Sequence, residues 1–255
     1  MSPEVIVRPC RGLEEYGGCI DLQKEVWNFS DLDVVPLRLF VVAEKVGGQI
    51  IGAFDGERMV GFAMSVPGTR GGHPYLHSHM LAVRENYRNS GLGRRLKLAQ
   101  REDALARGFE LIEWTFDPLE IKNAHLNIER LGAITRRYTI NQYGTTSSPL
   151  HGGLPTDRLV AEWWLRSRRV ETLLKTGTRP DFVTERTIEV PGKIYEWKAS
   201  ADDRDKAREV QQRNREDFRR AFASGQSVLG YERDAQGNGR FLLGRWDEEW
   251  SYASK

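Results

Sequence analysis

His77 and His79 lie two residues apart in a run of strand-forming character, Tyr75 to Val83. On a β-strand, residues i and i+2 project from one face, so both imidazoles should share a side. Histidine exchanges its proton near neutrality, and such a pair suits general-base work on a nucleophile. Histidines also line many strands with no chemical task, and the residues alone leave both readings open. Asp117 and Glu120 form a second set, able to attract a cation or serve as a second base. Asp117 precedes Pro118, and that is equally an ordinary turn signal. The third constellation is Arg88-Asn89-Ser90-Gly91-Leu92-Gly93. Glycines let a backbone approach a phosphate closely, and arginines supply the opposite charge.

Each set needs an element to hold it. The strand to Val83 feeds the glycine turn, and the turn opens a helix from about Ser90 to Arg107. Leu92, Leu96 and Ala99 recur on one face of a 3.6-residue period, and Gly108 closes the helix. The first N–H groups of a helix lack intrahelical acceptors and lie at its positive end, so this turn is built to receive an anion. A Walker loop is absent. A dinucleotide fingerprint fails because Leu96 stands where its third glycine would fall. Before the turn, helical segments at Glu14–Trp27 and Leu37–Val46 precede strands at Gln49–Phe54 and Met59–Val66, with a glycine-rich loop from Gly68 to Pro74. After it come a strand at Leu111–Phe116, a helix at Asn123–Leu131, and strands at Ile134–Gln142 and Leu159–Leu165. Between those last two runs a loop rich in Gly, Ser and Thr, Gly144 to Thr156. Beyond Arg166 the pattern gives an amphipathic helix, Asp203–Ala223, and two strands, Ser227–Glu232 and Arg240–Arg245.

Composition excludes several classes. With 39% hydrophobic and 29% charged residues in a 255-residue chain, a globular protein is expected. No apolar run reaches the roughly 18 residues that span a bilayer, and no basic stretch leads into an apolar one at the start. The expectation is a cytoplasmic protein with no membrane partner. A formal charge of +2 speaks against a nucleic-acid binder. The basic residues Arg84, Arg88, Arg94, Arg95, Lys97 and Arg101 nonetheless crowd one stretch, which suits a solvated helix face or a phosphate-bearing ligand. Cys10 and Cys19 have no metal or redox spacing and read as small core side chains. Trp114 and Phe116 share a strand face and read as core.

Arg88-x-x-Gly91-x-Gly93, preceded by Leu81-Ala82-Val83 and followed by the helix to Gly108, resembles the acetyl-CoA-binding motif of the GNAT superfamily of N-acetyltransferases. The order of elements from Val5 to Leu165 agrees. The segment Asn123-Ala124 to Leu131-Gly132-Ala133 resembles that superfamily's next helix, and the chain is also similar to an uncharacterised bacterial subgroup of acetyltransferases. The resemblance implies an α+β fold, a mixed and mostly antiparallel sheet flanked by helices, over residues 1–168, with a C-terminal α+β extension over 169–255. It implies acetyl-CoA as acyl donor and no metal. The backbone of Leu81, Ala82 and Val83 would pair with the pantetheine arm. Arg88, Asn89, Ser90, Gly91, Leu92, Gly93 and Arg94 would hold the pyrophosphate, and Asn123 and Asn127 would touch the donor. His77-Ser78-His79-Met80-Leu81-Ala82-Val83 is similar to a strand of the serotonin N-acetyltransferase family, where two histidines help to deprotonate the amine. The resemblance therefore makes His77 and His79 catalytic candidates, with Asp117 and Glu120 behind them. In many members a tyrosine protonates the leaving thiolate; Ile128 stands at that position, and Tyr138 and Tyr143 lie nearby in sequence. The expected partners are acetyl-CoA and a small-molecule or peptide amine, with room for a homodimer. The alternative is a protein of this fold that binds an acyl-CoA without transferring its acyl group.

Overall fold

The computed structural model describes residues 5–144 and 152–252, so most of the expected 144–156 loop lies outside the described residues. The chain forms two compact units. The first holds the chain up to Glu113 and again from Ser251, and the second is Trp114–Trp250.

In the first unit, β1 (Ile6–Pro9), α1 (Gly12–Trp27), α2 (Leu37–Lys45), β2 (Gln49–Asp55), β3 (Arg58–Arg70), β4 (His73–Val83) and α3 (Leu92–Ala106) follow in order, before the chain enters β5 (Leu111–Phe116). Strands β1 to β4 pair antiparallel in sequence order. β5 joins parallel to β4, at Leu76↔Ile112 and His77↔Glu113. The expected Gly68–Pro74 loop is mostly strand: β3 runs to Arg70, β4 starts at His73, and only Gly71-Gly72 turn, both at positive φ. Two apolar layers cover the sheet. Tyr16, Cys19 and Leu22 of α1 and Phe40 and Ala43 of α2 pack with Phe62, Met64, Met80 and Ala82 on one face. Leu92 and Leu96 of α3 pack with Ile51, Ala53, Val60 and Ala63 on the other, flanked by Leu81 and Val83. Cys10 and Cys19 are free and buried in the first layer.

In the second unit, α4 (Ile121–His125) continues as a π-helical turn, Leu126–Arg130. There follow β6 (Ile134–Thr139), β7 (Arg158–Trp164), α5 (Arg168–Thr176), β8 (Arg186–Val190), α6 (Ile194–Ala199), α7 (Arg204–Ala223), β9 (Gln226–Arg233) and β10 (Gly239–Arg245). β6 pairs antiparallel with β7 and with β9, β9 with β10, and β10 with β8. Helix α7 buries Ala207, Val210, Phe218 and Ala221, and Phe218 stacks on Tyr138 of β6 and meets Phe241 of β10 edge-on. Sequence pattern did not reveal α5, β8 and α6. They are short and rich in charge, although Ser167 caps α5 by accepting from the Val170 N–H. Among the described residues, no helix is long and apolar enough to cross a membrane.

Candidate active site in the first unit

β4 carries the histidines, and its register decides where they point. Met80 pairs with Met64, but Ser78 pairs with Ser65. One extra residue, His79, therefore sits in a β-bulge, where the ladder is locally broken and the strand bends. The bulge reverses the alternation of faces. Above it, Met80 and Ala82 point to the α1/α2 layer while Leu81 and Val83 point to α3. Below it, Ser78 bonds to Lys97 of α3, and His77 lies opposite Val66, which packs with the α1/α2 layer. Uninterrupted alternation would have put His77 on the side of Leu81 and Val83. The two imidazoles do come together, with centroids 6.2 Å apart and planes tilted by 41°.

His77 is half-buried and His79 is exposed at its tip. Burial pushes the His77 imidazole down to about 4, with further lowering from His79, Lys97 and Arg70 and an opposing pull from Glu113. His79 is lowered as well, by desolvation. Both rings are consequently held neutral at pH 7, the form that accepts a proton. Glu113 and Arg70 escaped sequence reasoning. Glu113 is buried beside His77 in the β4–β5 register and takes a two-pronged ion pair from Arg70. Only the fold could reveal this, because the pair spans 43 residues.

Beyond His77, β4 pairs only on its β3 side among the described residues: the β5 ladder stops at His77↔Glu113. The other edge of β4 from Ser78 to Val83, including Leu81, Ala82 and Val83, thus has no strand partner among the described residues. The strand then runs through a 3₁₀ turn, Glu85–Tyr87, to Arg88. Gly91 is the N-cap of α3 at φ 83°, and Asn89 adopts φ 61°. Helix α3 begins at Leu92, two residues later than the sequence pattern suggested. Its N-cap makes no side-chain cap and its first turn holds no acidic residue, so the N–H groups at this end look outward. Arg88, Asn89, Ser90 and Gly91 are exposed, Gly93 and Arg94 partly so, and Leu92 is core. Ser90 Oγ donates to the Tyr87 carbonyl at 2.6 Å and Arg88 Nε to the Val83 carbonyl at 3.2 Å, which steadies the turn. The basic cluster is less uniform than its sequence suggested. Arg84 pairs with Glu25, Arg95 reaches the Val5 carbonyl, and Lys97 is buried.

The remaining candidates belong to the second unit. Asp117 and Glu120 share Lys198, whose Nζ lies 3.3 Å from Asp117 Oδ2 and 2.8 Å from Glu120 Oε1. Lys198 is itself buried, and its two carboxylates outweigh desolvation to raise its pKa. Asn123 is exposed and Asn127 buried on the α4–π segment. The Ala133 N–H reaches back to the Asn127 carbonyl at 3.0 Å. Buried Arg169 holds the same segment by donating to the Gly132 carbonyl at 3.1 Å and the Ile128 carbonyl at 3.4 Å. Ile128 is fully buried. Tyr138 donates to Asp157 at 2.7 Å and Tyr143 lies 3.1 Å from the Thr115 hydroxyl. Trp114 and Phe116 are core residues. Among the described residues, no three His, Cys, Asp or Glu side chains gather as a metal site.

Comparison with known proteins bears on the family and the fold. The family model described as "Acetyltransferase (GNAT) family" matches residues 16–132. No curated protein matches the sequence. Among solved structures, the ribosomal-protein-alanine N-acetyltransferase from Escherichia coli is similar at TM-score 0.52 and 15% identity, over 64% of this chain and 96% of that one. An aminoglycoside 6'-acetyltransferase type Ii is similar at 0.51 and 17%, over 64% and 99%. The acetyltransferase of GNAT family from Streptococcus pneumoniae is similar at 0.50 and 15%, over 62% and 98%. At such identities the likeness is one of fold. It is the family model that identifies, over residues 16–132, an acetyltransferase (GNAT) family domain in this chain.

Proposed function

We propose that the protein transfers an acetyl group from acetyl-CoA to an amine by direct attack, with the His77/His79 pair taking the amine proton. The observation that carries this reading is the pair itself. Two imidazoles held neutral stand 6.2 Å apart at a bulge, on the strand that leads to the open edge and the outward-facing turn. The pantetheine arm pairs with the backbone of Leu81 to Val83, and the pyrophosphate sits on the turn from Arg88 to Arg94. The amine nitrogen, relieved of its proton by His77 or His79, attacks the thioester carbonyl, and a backbone N–H of β4 polarises that carbonyl. The tetrahedral adduct collapses, the C–S bond breaks, and CoA leaves as a thiolate. Asp117 and Glu120 play no part in this scheme, because Lys198 occupies both.

Fold relatives differ in acceptor, a ribosomal-protein alanine in one and an aminoglycoside in another, so likeness of fold leaves the amine open between small molecule and peptide. The reaction calls for a compartment that supplies acetyl-CoA, the cytoplasm. The test is release of free CoA from acetyl-CoA in the presence of an amine library, alongside calorimetry of acetyl-CoA binding. Binding with amine-dependent CoA release supports transfer. Binding with no release from any amine would favour an acyl-CoA-binding protein, a reading supported by Ile128 being buried apolar where a thiolate-protonating tyrosine is usual.

A further inference from the structure

Helix α3 buries Leu92, Leu96, Lys97, Gln100 and Ala104. A lysine in such a stripe is costly to desolvate, so its retention calls for a reason. Lys97 Nζ donates to Ser78 Oγ at 2.9 Å and to Gln100 Oε1 at 3.1 Å, and Ser78 Oγ donates to that same oxygen at 3.1 Å. Gln49 Nε2 donates to the Gln100 carbonyl at 2.8 Å and to Asp103 at 2.7 Å. Gln49 Oε1 accepts from Ser65 Oγ at 2.8 Å. Ser65 is the ladder partner of Ser78. The contacts close into a ring, from β4 through α3 and β2 to β3 and back to β4. The ring grips the ladder at the point where its register shifts, between Met64 and Ser65.

We propose that Lys97 is a positioning residue for His77 and His79: by pinning Ser78 toward α3, it fixes the bulge at His79 and with it the face on which His77 stands. The proposal rests on the histidine-base reading for its catalytic consequence, though not for its geometry. Ser78 separates the two histidines, so any slip of Ser78 moves both. A one-residue slip would return His77 to the α3 side. Lys97 is also close enough to act electrostatically. The charged groups facing His77 are His79 on its own strand, Glu113 from β5, Arg70 from β3 and Lys97 from α3. Burial pulls the Lys97 pKa well down, and its ammonium form opposes a proton on His77.

Two substitutions test this in the full chain, Lys97→Met and Ser78→Ala. The readouts are NMR titration of the imidazoles, thermal melting and kcat/KM for whichever amine is turned over. Lys97→Met removes a buried amine, keeps its length and leaves Ser78 bonded to Gln100, so the protein should stay folded. The His77 midpoint should rise by roughly half a pH unit or more, since Glu113 is then less opposed. Turnover should fall about tenfold through misplacement, with KM for acetyl-CoA unchanged. Ser78→Ala, which leaves Lys97 on Gln100, should disturb the resonances of residues 77–79 and lower turnover, while moving the His77 midpoint less. A Lys97→Met protein whose His77 midpoint and 77–79 amide resonances match wild type would overturn the proposal. If Lys97→Met does not fold, Ser78→Ala decides: unaltered resonances and turnover would overturn it equally. A shifted midpoint, with turnover insensitive to His77→Gln and His79→Gln, would uphold the positioning role and sink the histidine-base reading instead.

Discussion

At the residue scale, the proposed transfer turns on the protonation state of the histidine pair. Sequence spacing favoured a rate limb near neutrality, but the structure moves the histidine contribution to the acid side, with His77 down to about 4 and His79 lowered too. The two rings titrate as a coupled pair, so one limb belongs to neither alone. The expected profile of kcat/KM has an acid limb from the pair, below the ordinary imidazole range, and a second rise from the acceptor amine's own ionisation. His77→Gln with His79→Gln should abolish the acid limb, spare the amine's rise, and lower the plateau by about 10² or more. Near wild-type turnover at pH 7 in that double variant would make the histidines structural. The same shift has a stability consequence. His77 holds its proton less tightly folded, at about 4, than unfolded, at 6.5. Between those values the unfolded chain carries more protons, so stability falls as pH drops through the window and levels off below it. The contribution is at most about 3.5 kcal/mol, from roughly 1.4 kcal/mol per pKa unit, with solvent access to the ring reducing it. Urea titrations of His77→Gln from pH 7 to 4 should show a shallower decline than wild type. The pairing of the rings was legible from their i, i+2 spacing. Their face was not, because a bulge is a property of two strands in register. Nor was Lys97 legible as buried, since periodicity assigns a lysine to solvent.

At the scale of elements, the turn into α3 can be tested apart from the chemistry. Gly91 adopts φ 83° with open space where a Cβ would stand. Any side chain there strains the backbone, and a carboxylate also meets the incoming pyrophosphate. Gly91→Ala measures the strain by itself; Gly91→Glu adds the charge. Acetyl-CoA affinity should fall at least about tenfold further in the Glu variant than in the Ala variant, roughly 1.4 kcal/mol, by calorimetry on folded protein. Equal affinities would remove the pyrophosphate from this turn. The glycine pattern revealed this helix start to within two residues, because strand, turn and helix are contiguous in sequence. The capture of Asp117 and Glu120 by Lys198 stayed hidden for the opposite reason, since their partner lies 81 and 78 residues away. The π turn after α4 was likewise invisible: its Arg169 clamp comes from another element.

At the scale of the whole molecule, the second unit depends on residues far past the family match. Val228 of β9 pairs with Thr135 of β6, Phe218 of α7 stacks on Tyr138, and Arg215 holds fully buried Asp157 at 2.8 Å. A chain ended after Arg168 would leave the Asp157 carboxylate without its arginine and the apolar face of β6 uncovered. Removing one partner of a buried ion pair alone costs about 3–5 kcal/mol. Such a chain should melt far below the full-length protein or fail to fold. An unchanged melting temperature would show that residues 169–255 are a separable domain. Helix α7 finds its apolar cover within the unit, so a second copy is not required to bury it.

The ring of Tyr252 lies flat on His73, centroids 4.6 Å apart and planes within 8°, and its hydroxyl donates to Glu110 at 3.1 Å. His73 begins the very strand that carries the histidine pair. This contact has a meaning in time. The ribosome delivers β1 to α3 early, at about 5–20 residues per second, yet the side chain that covers the start of β4 emerges only after the entire second unit. This contact of the first unit therefore forms only once synthesis has passed Tyr252.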